Sequence, residues 1–209
     1  TFCPGPGSLT EYNLKGQINS FGRNDPQYKK IEKFVLKKLR NISQKKNIVT
    51  FQGSVTLAIE IMILNFLSGR VLVVSTGYYS DRIYNMLKKL QKNQTVYTKL
   101  DKVDWREIYK DKKFPKYDWV ISCPTETSKA LLLPIKDLSI FSKKISARLM
   151  LDATGSIGLE QNHGLASVLS FSSCKGIFGI TGAAFIAYDL DKIKKRNISF
   201  YQDIETHLH

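Results

Sequence analysis

Val71-Leu72-Val73-Val74-Ser75-Thr76-Gly77-Tyr78-Tyr79-Ser80 is the stretch in which the fold is legible. Its first four residues are apolar without a break. A strand with one solvated face alternates, whereas an unbroken apolar run suits a strand covered on both faces, as in a parallel sheet. The run then gives way to hydroxyls, a glycine and two tyrosines, and Ser80 reads as the cap of a helix running to Gln91. Strand, polar loop, helix is the unit of an α/β domain.

The same unit recurs in both directions along the chain. Strands are expected over residues 48–51, 95–98, 118–122, 148–151, 168–172 and 182–188. Toward the N-terminus, Asp25-Pro26 reads as a helix cap and first helical position. Ile31, Phe34, Val35, Leu39 and Ile42 follow at helical spacing, with lysines opposite. An apolar helix runs to Leu67; shorter helices are expected over 104–110 and 137–144, and a basic one from Asp191. Residues 2–8 (Phe-Cys-Pro-Gly-Pro-Gly-Ser) read as a rigid, non-helical entry loop. Alternating strands and helices imply a three-layer α/β fold, a mainly parallel central sheet with helices on both faces. Ligands gather at the C-terminal ends of strands in such sheets. Polar loops follow five of these strands and carry Tyr79, Thr127, Asp152, Lys175 and several hydroxyls.

Three of those loops have a chemistry of their own. After the strand over 168–172 comes Ser173-Cys174-Lys175-Gly176. A Lys held at a strand end, out of bulk water, can lose its proton, act as a nucleophile and form a Schiff base with a carbonyl compound. The same pattern also fits a surface Lys, one of 25 in the chain. Asp152 directly follows an apolar strand, where a carboxylate needs a cationic or hydrogen-bonding partner. A pyridinium nitrogen would be one such partner, and capping of the next turn is the alternative. Gln52-Gly53-Ser54-Val55-Thr56 joins a strand to an apolar helix. That arrangement offers free backbone N–H groups to a phosphate, or forms a Ser-capped buried helix.

Composition narrows the class. The chain has 209 residues, enough for one domain with a sizeable core. Its net charge is +14, yet 25 of its 32 basic residues are lysines scattered along the chain. Without an Arg-rich block or a nucleic-acid-binding signature, this reads as a solvated basic surface, with no nucleic acid partner expected. The longest apolar candidate, residues 58–67, is broken by Glu60 and Asn65, so no membrane span is expected. Cys3, Cys123 and Cys174 lie far apart with no CxxC. That argues against a disulfide framework or a metal site and suits a reducing cytoplasm. His163 reads as a surface-loop residue, and His207 and His209 are terminal, so no metal site is assigned to them. The chain opens on Thr1 rather than Met, which points to residues preceding it.

In their joint order, these segments resemble the class V aminotransferases of the pyridoxal 5′-phosphate (PLP)-dependent fold type I superfamily. The resemblance rests on Pro4-Gly5-Pro6-Gly7, Gly22-Arg23-Asn24-Asp25-Pro26, the stretch from Gln52 to Glu60, and residues 71–82. It continues through Glu126-Thr127-Ser128, Leu151-Asp152-Ala153 and Ser172-Ser173-Cys174-Lys175. Among the class, the 2-aminoethylphosphonate–pyruvate transaminases and the alanine– and serine–glyoxylate aminotransferases are most alike.

The resemblance implies a PLP cofactor bound to Lys175 as a Schiff base, with Lys175 and Asp152 as catalytic residues. Asp152 would pair with the pyridine nitrogen. Ser54, Val55 and Thr56 would hold the phosphate, with Ser172 and Cys174 close to it. Tyr79 would stack on one ring face, Thr154 would pack on the other, and Thr127 would bond near the ring's phenolic oxygen. The activity implied is transfer of an amino group from a small amino donor, 2-aminoethylphosphonate-like or alanine or serine, to pyruvate or glyoxylate. A fold type I lyase or desulfurase, or a non-catalytic homologue binding a partner or an anionic ligand, is the alternative. The partners implied are small amino and keto acids and a second copy of the chain, in a homodimer whose site is completed across the interface. Residues 1–209 would form the PLP-binding large domain, with an N-terminal loop over 1–24. The family's small C-terminal domain, which supplies an arginine for the substrate carboxylate, is not expected within them. Three family patterns are altered here: Gly-Ser-Gly-Thr reads Gly53-Ser54-Val55-Thr56, Glu-Thr-Ser-Thr-Gly reads Glu126-Thr127-Ser128-Lys129-Ala130, and Cys174 precedes the Lys where Asn, Gln or His is common.

Overall fold

The structure is a computed structural model that describes residues 5–6, 10–15, 20–22, 24–93, 95–191, 193–194 and 196–208. Cys3, Arg23, His209 and most of the entry loop over 2–8 lie outside the described residues.

Nine strands are present among the described residues: β1 (Asn47–Gln52), β2 (Arg70–Ser75), β3 (Lys99–Asp104), β4 (Trp119–Ser122), β5 (Thr125–Glu126), β6 (Leu131–Leu132), β7 (Arg148–Asp152), β8 (Val168–Ser172) and β9 (Ala183–Tyr188). The α-helices are α1 (Glu11–Lys15), α2 (Pro26–Ser43), α3 (Val55–Phe66), α4 (Tyr78–Gln91) and α5 (Ile135–Lys144). Seven strands make one sheet in the order β1-β9-β8-β7-β4-β2-β3. Pairing is parallel from β3 through β2, β4 and β7 to β8; β9 runs antiparallel between β8 and β1. Strands β5 and β6 form a small antiparallel pair apart from the main sheet.

The apolar run of β2 explains the three layers. Side chains alternate along a strand. Val71 and Val73 face a core shared with α3 and α4, whereas Leu72 and Val74 face a second core shared with α5. All four are fully buried. Complete burial of one such side chain contributes about 1.5–3 kcal/mol. Helix α3 is buried over nearly its whole length, which fits an apolar surface on all sides.

Five expectations need correction. Ser80 is not the cap of α4: the helix begins at Tyr78 with Gly77 at its cap, and Ser80 Oγ, inside the first turn, accepts from Gly77 N at 3.0 Å. Residues 95–98 form a loop, because the Gln91 side chain accepts from Val96 N and Tyr97 N and donates to Tyr97 O; the strand begins at Lys99. Among the described residues no helix starts at Asp191. Instead Arg196 donates to the carbonyls of Leu64 and Leu67 at the end of α3, and Lys194 N donates to Asn65 O. His163 is no surface residue: it is 2% exposed and its Nε2 lies 2.9 Å from Ser156 Oγ. Burial lowers its pKa to about 4. The helix over 104–110 is a 3-10 turn, Trp105–Tyr109, capped by Asp104, whose Oδ1 accepts from Arg106 N.

Helix α2 forms where expected, with Asp25 Oδ1 accepting from Gln27 N at 2.8 Å. Of its apolar positions only Leu39 is buried, while Ile31, Phe34, Val35 and Ile42 are exposed.

Candidate active site

The C-terminal ends of β1, β2, β4, β7 and β8 all carry loops. These five strands run in the same direction, so their loops come to one edge of the sheet. Hydrogen bonds tie the loops to one another. Thr76 Oγ1 after β2 donates to Cys123 O after β4 at 2.7 Å. A Cβ on Gly155, after β7, would come within 2.9 Å of Thr125 O, so only glycine lets these two loops approach so closely. Gly53 N after β1 donates to Gly182 O before β9 at 2.8 Å.

The loops enclose a cavity of about 190 Å³. Lys175, Asp152, Tyr79, Thr127, Thr154 and Val55 all line it. Six of the residues singled out in the sequence therefore meet around one space. Ser54, Thr56, Ser172 and Cys174 flank the cavity without lining it. Ser172 is buried and its Oγ lies 3.7 Å from Cys174 Sγ.

Asp152 is the last residue of β7 and is 1% exposed. Its Oδ1 accepts from Thr154 N at 3.1 Å and from Thr154 Oγ1. Its other oxygen has no protein hydrogen bond among the described residues. Burial raises its pKa above the ordinary carboxylate value, opposed by the Thr154 hydrogen bonds and by the Arg82 charge. Lys175 is half-buried in the loop after β8, and its Nζ donates to Gly5 O. That loop is fixed by Gly179 N donating to Ser173 O at 2.7 Å and Phe178 N donating to Lys175 O at 2.9 Å.

Ser54 is the N-cap of α3, yet its side chain makes no capping hydrogen bond and the residue is exposed. Val55 and Thr56 open the helix, where N–H groups have no partner within the helix. This geometry favours the anion-binding reading of the stretch over the Ser-capped one.

Tyr79 lies in the first turn of α4. Its N–H donates to Glu126 Oε2 at 2.9 Å, and Glu126 Oε1 accepts from Ser128 Oγ at 2.6 Å. Glu126 is fully buried. A Cβ on Gly77 would sit 2.7 Å from Glu126 Cγ, so a glycine there admits the carboxylate beneath the tyrosine loop.

Arg82, Thr125 and Cys123 also line the cavity, and no site role was read for them in the sequence. Arg82 lies three positions after Tyr79 on α4, the spacing of one helix face, which is the signal that could have found it. Its Nη1 donates to Thr56 Oγ1 at 3.1 Å, and its guanidinium carbon is 5.2 Å from the Tyr79 ring centroid. Burial pushes the Cys123 thiol well above its ordinary pKa, so it is no nucleophile at neutral pH. Glu126 belongs to the segment Glu126-Thr127-Ser128, but nothing in its spacing shows that it is buried.

The residues present fit PLP. Thr125 Oγ1 and Arg82 Nε are buried without a hydrogen-bond partner, and both residues line the cavity. Buried polar atoms of this kind are rare unless something else completes them. A helix start for a phosphate, a carboxylate for a ring nitrogen, an aromatic side chain and an amine complete the donor set. Among the described residues no cluster of His, Cys, Asp and Glu could hold a metal ion.

No protein-family model matches the chain. The 2-aminoethylphosphonate–pyruvate transaminase of Bacillus cereus is 25% identical over 206 residues, covering 92% of this chain and 59% of that protein. That of Pseudomonas putida (strain W619) is 25% identical over 194 residues, covering 88% and 53%. The chain thus spans little more than half the length of these relatives. Among solved structures, an aspartate aminotransferase of subgroup IV from Thermus thermophilus superposes with a TM-score of 0.80 at 22% identity, over 97% of this chain and 60% of that one. The alanine–glyoxylate aminotransferase of Nostoc sp. gives 0.78 at 16% identity, over 97% and 58%. At these identities the structures establish the fold alone, a mainly parallel central sheet with helices on both faces. The curated sequence relatives are aminotransferases, and the chain is similar to them over most of its own length.

Proposed function

We propose that residues 1–209, with the N-terminal loop 1–24, are the PLP-binding large domain of a class V aminotransferase. The reaction is transfer of an amino group from a small amino donor, 2-aminoethylphosphonate-like or alanine or serine, to pyruvate or glyoxylate. One observation carries this reading: Lys175 and Asp152, from the ends of the adjacent strands β8 and β7, line one cavity together with Tyr79.

PLP, when bound, supplies an aldehyde for a primary amine and a ring that accepts electrons from a carbanion. The chain's residues do the rest. Lys175 Nζ would be the amine that holds the cofactor through its aldehyde carbon, with release of water, and the group that holds and moves the proton. Asp152 keeps a proton on the ring nitrogen, which is why a buried carboxylate stands at that strand end. Val55 and Thr56 N–H groups and the Ser54 hydroxyl bind phosphate. Tyr79 covers a ring face, held there by Glu126. Ser172 and Cys174 would lie near the phosphate, Thr127 would bond near the ring's phenolic oxygen, and Thr154 would orient Asp152 and pack against the ring.

A cytoplasmic setting is part of this reading, and the free thiols of Cys123 and Cys174 support it. The exposed apolar positions of α2 and the exposed Tyr78 beside Tyr79 support a homodimer with a shared site. A second reading, a non-catalytic homologue that binds an anionic ligand, is favoured by the Val55 side chain on the cavity wall where the family has glycine.

The test is spectroscopic and chemical. The chain mixed with PLP is expected to show the visible band of a lysine-bound cofactor. Borohydride is expected to fix it to Lys175, and Lys175→Ala to abolish both. Labelling at another lysine, or PLP binding without a covalent bond, refutes the enzyme reading.

A further inference from the structure

Arg82 is a cation whose partners in the structure do not account for it. A guanidinium offers five N–H donors. Among the described residues only one of them is used, Nη1 to Thr56 Oγ1 at 3.1 Å. Nε is buried with no partner. Among the described residues no carboxylate lies within ion-pair distance of it. Leaving a buried charged donor unmade is costly, and arginines are retained in such places where a planar fork meets an oxyanion.

Its position says which oxyanion. The one bond it makes is to Thr56, the second residue of α3, at the helix end whose backbone donors are free. The first turns of α4 carry Tyr79 and Arg82 on one face, with the guanidinium 5.2 Å from the ring centroid. Val55 and Arg82 line the same cavity. The family's second glycine, which lets a backbone approach the phosphate closely, is Val55 in this chain. A cation beside that helix end supplies the attraction that a bulkier residue there takes away. A fixed fork and a helix N-terminus converging on one point suit a compact tetrahedral oxyanion.

We propose that Arg82 binds the phosphate group of the cofactor together with the N-terminus of α3. This rests on the reading of the cavity as a PLP site. The same chemistry would serve the phosphonate of an amino donor, and the test separates the two sources.

The probe is pyridoxine 5′-phosphate, which lacks the aldehyde and so binds without reacting with Lys175; unphosphorylated pyridoxine is its control. Binding of each to the full chain is measured by calorimetry for the parent, Arg82→Met and Arg82→Lys. Arg82→Met is expected to bind pyridoxine 5′-phosphate about ten- to a hundredfold more weakly, the worth of one charge-assisted pair of this kind. Its affinity for pyridoxine is expected to be unchanged. Arg82→Lys keeps the charge without the fork and is expected to fall between. Should Arg82→Met fail to fold, a loss in Arg82→Lys confined to the phosphorylated probe supports the proposal. An equal loss for both probes overturns it, because Arg82 then acts on the ring side, through Asp152. Unchanged binding of both probes in Arg82→Met also overturns it and leaves the phosphonate as the remaining oxyanion. A parent chain that binds neither probe refutes the reading of the cavity itself, an outcome distinct from these.

Discussion

Replacing Asp152 by Asn is expected to move stability and cofactor affinity in opposite directions. Asp152 is 1% exposed, and burial raises its pKa. The shift has a definite sign in stability. A carboxyl whose folded pKa lies above its unfolded value favours the folded state while protonated, and that contribution is lost as pH rises through the folded pKa. In the cofactor-free chain the buried charge of Asp152 therefore weighs against folding as pH rises. The amide oxygen of an Asn side chain can keep both Thr154 hydrogen bonds, so the substitution removes a buried charge at nearly constant shape. An incompletely compensated buried polar group costs about 1–3 kcal/mol, so Asp152→Asn should stabilise the cofactor-free chain by about 1–2 kcal/mol at pH 8. The gain should shrink toward zero in acid, where the parent carboxyl is protonated. Binding should go the other way: Asn cannot hold the ring nitrogen's proton as an ion pair, and about 1.5–3 kcal/mol, or ten- to a hundredfold in affinity, should be lost. Urea unfolding of both chains at two pH values, followed by titration with pyridoxine 5′-phosphate, measures every part. An Asp152→Asn chain less stable than its parent at pH 8, or a difference that does not change with pH, would refute this account of the carboxylate.

Three further predictions concern residues outside the cavity lining. His163 has its pKa lowered to about 4 by burial, so its contribution to stability is complete above about pH 6.5 and is lost as pH falls toward 4; stability curves of the parent and His163→Gln should converge in acid, and parallel curves would count against it. Ala130 holds a φ of 49°, in the left-handed region, so Ala130→Gly should raise stability by roughly 0.5–1 kcal/mol in urea unfolding despite the added freedom of the unfolded chain. Glu126→Gln places a donor among the donors Tyr79 N, Ser128 N and Ser128 Oγ, and should cost about 1–3 kcal/mol of stability and loosen Tyr79, read as a change in tyrosine fluorescence on adding pyridoxine 5′-phosphate.

The sequence by itself determined the layers and the edge at which chemistry collects. A short, valine-rich apolar run such as 71–74, ending in a glycine-containing polar loop, suits a strand covered on both faces, and the loop after it then lies at a sheet edge. That logic placed Tyr79, Asp152, Thr127 and Lys175 at the same edge before any coordinates. Local chemistry was legible as well: Asp25 caps α2, and Ser54 opens α3. Tertiary structure decided whatever depends on partners distant in the chain. Residues 95–98 look like a strand, but the Gln91 side chain takes their hydrogen bonds. The basic segment after Asp191 looks helical, but Arg196 finds better acceptors at the open end of α3. His163 sits among polar and small residues in sequence, and only packing of its turn against Ser156 removes it from water. The role of Arg82 also waited on folding. A lone arginine on a helix says nothing until the start of α3, 26 residues earlier, is brought within a hydrogen bond of it, because burial and charge pairing are properties of space and not of sequence distance.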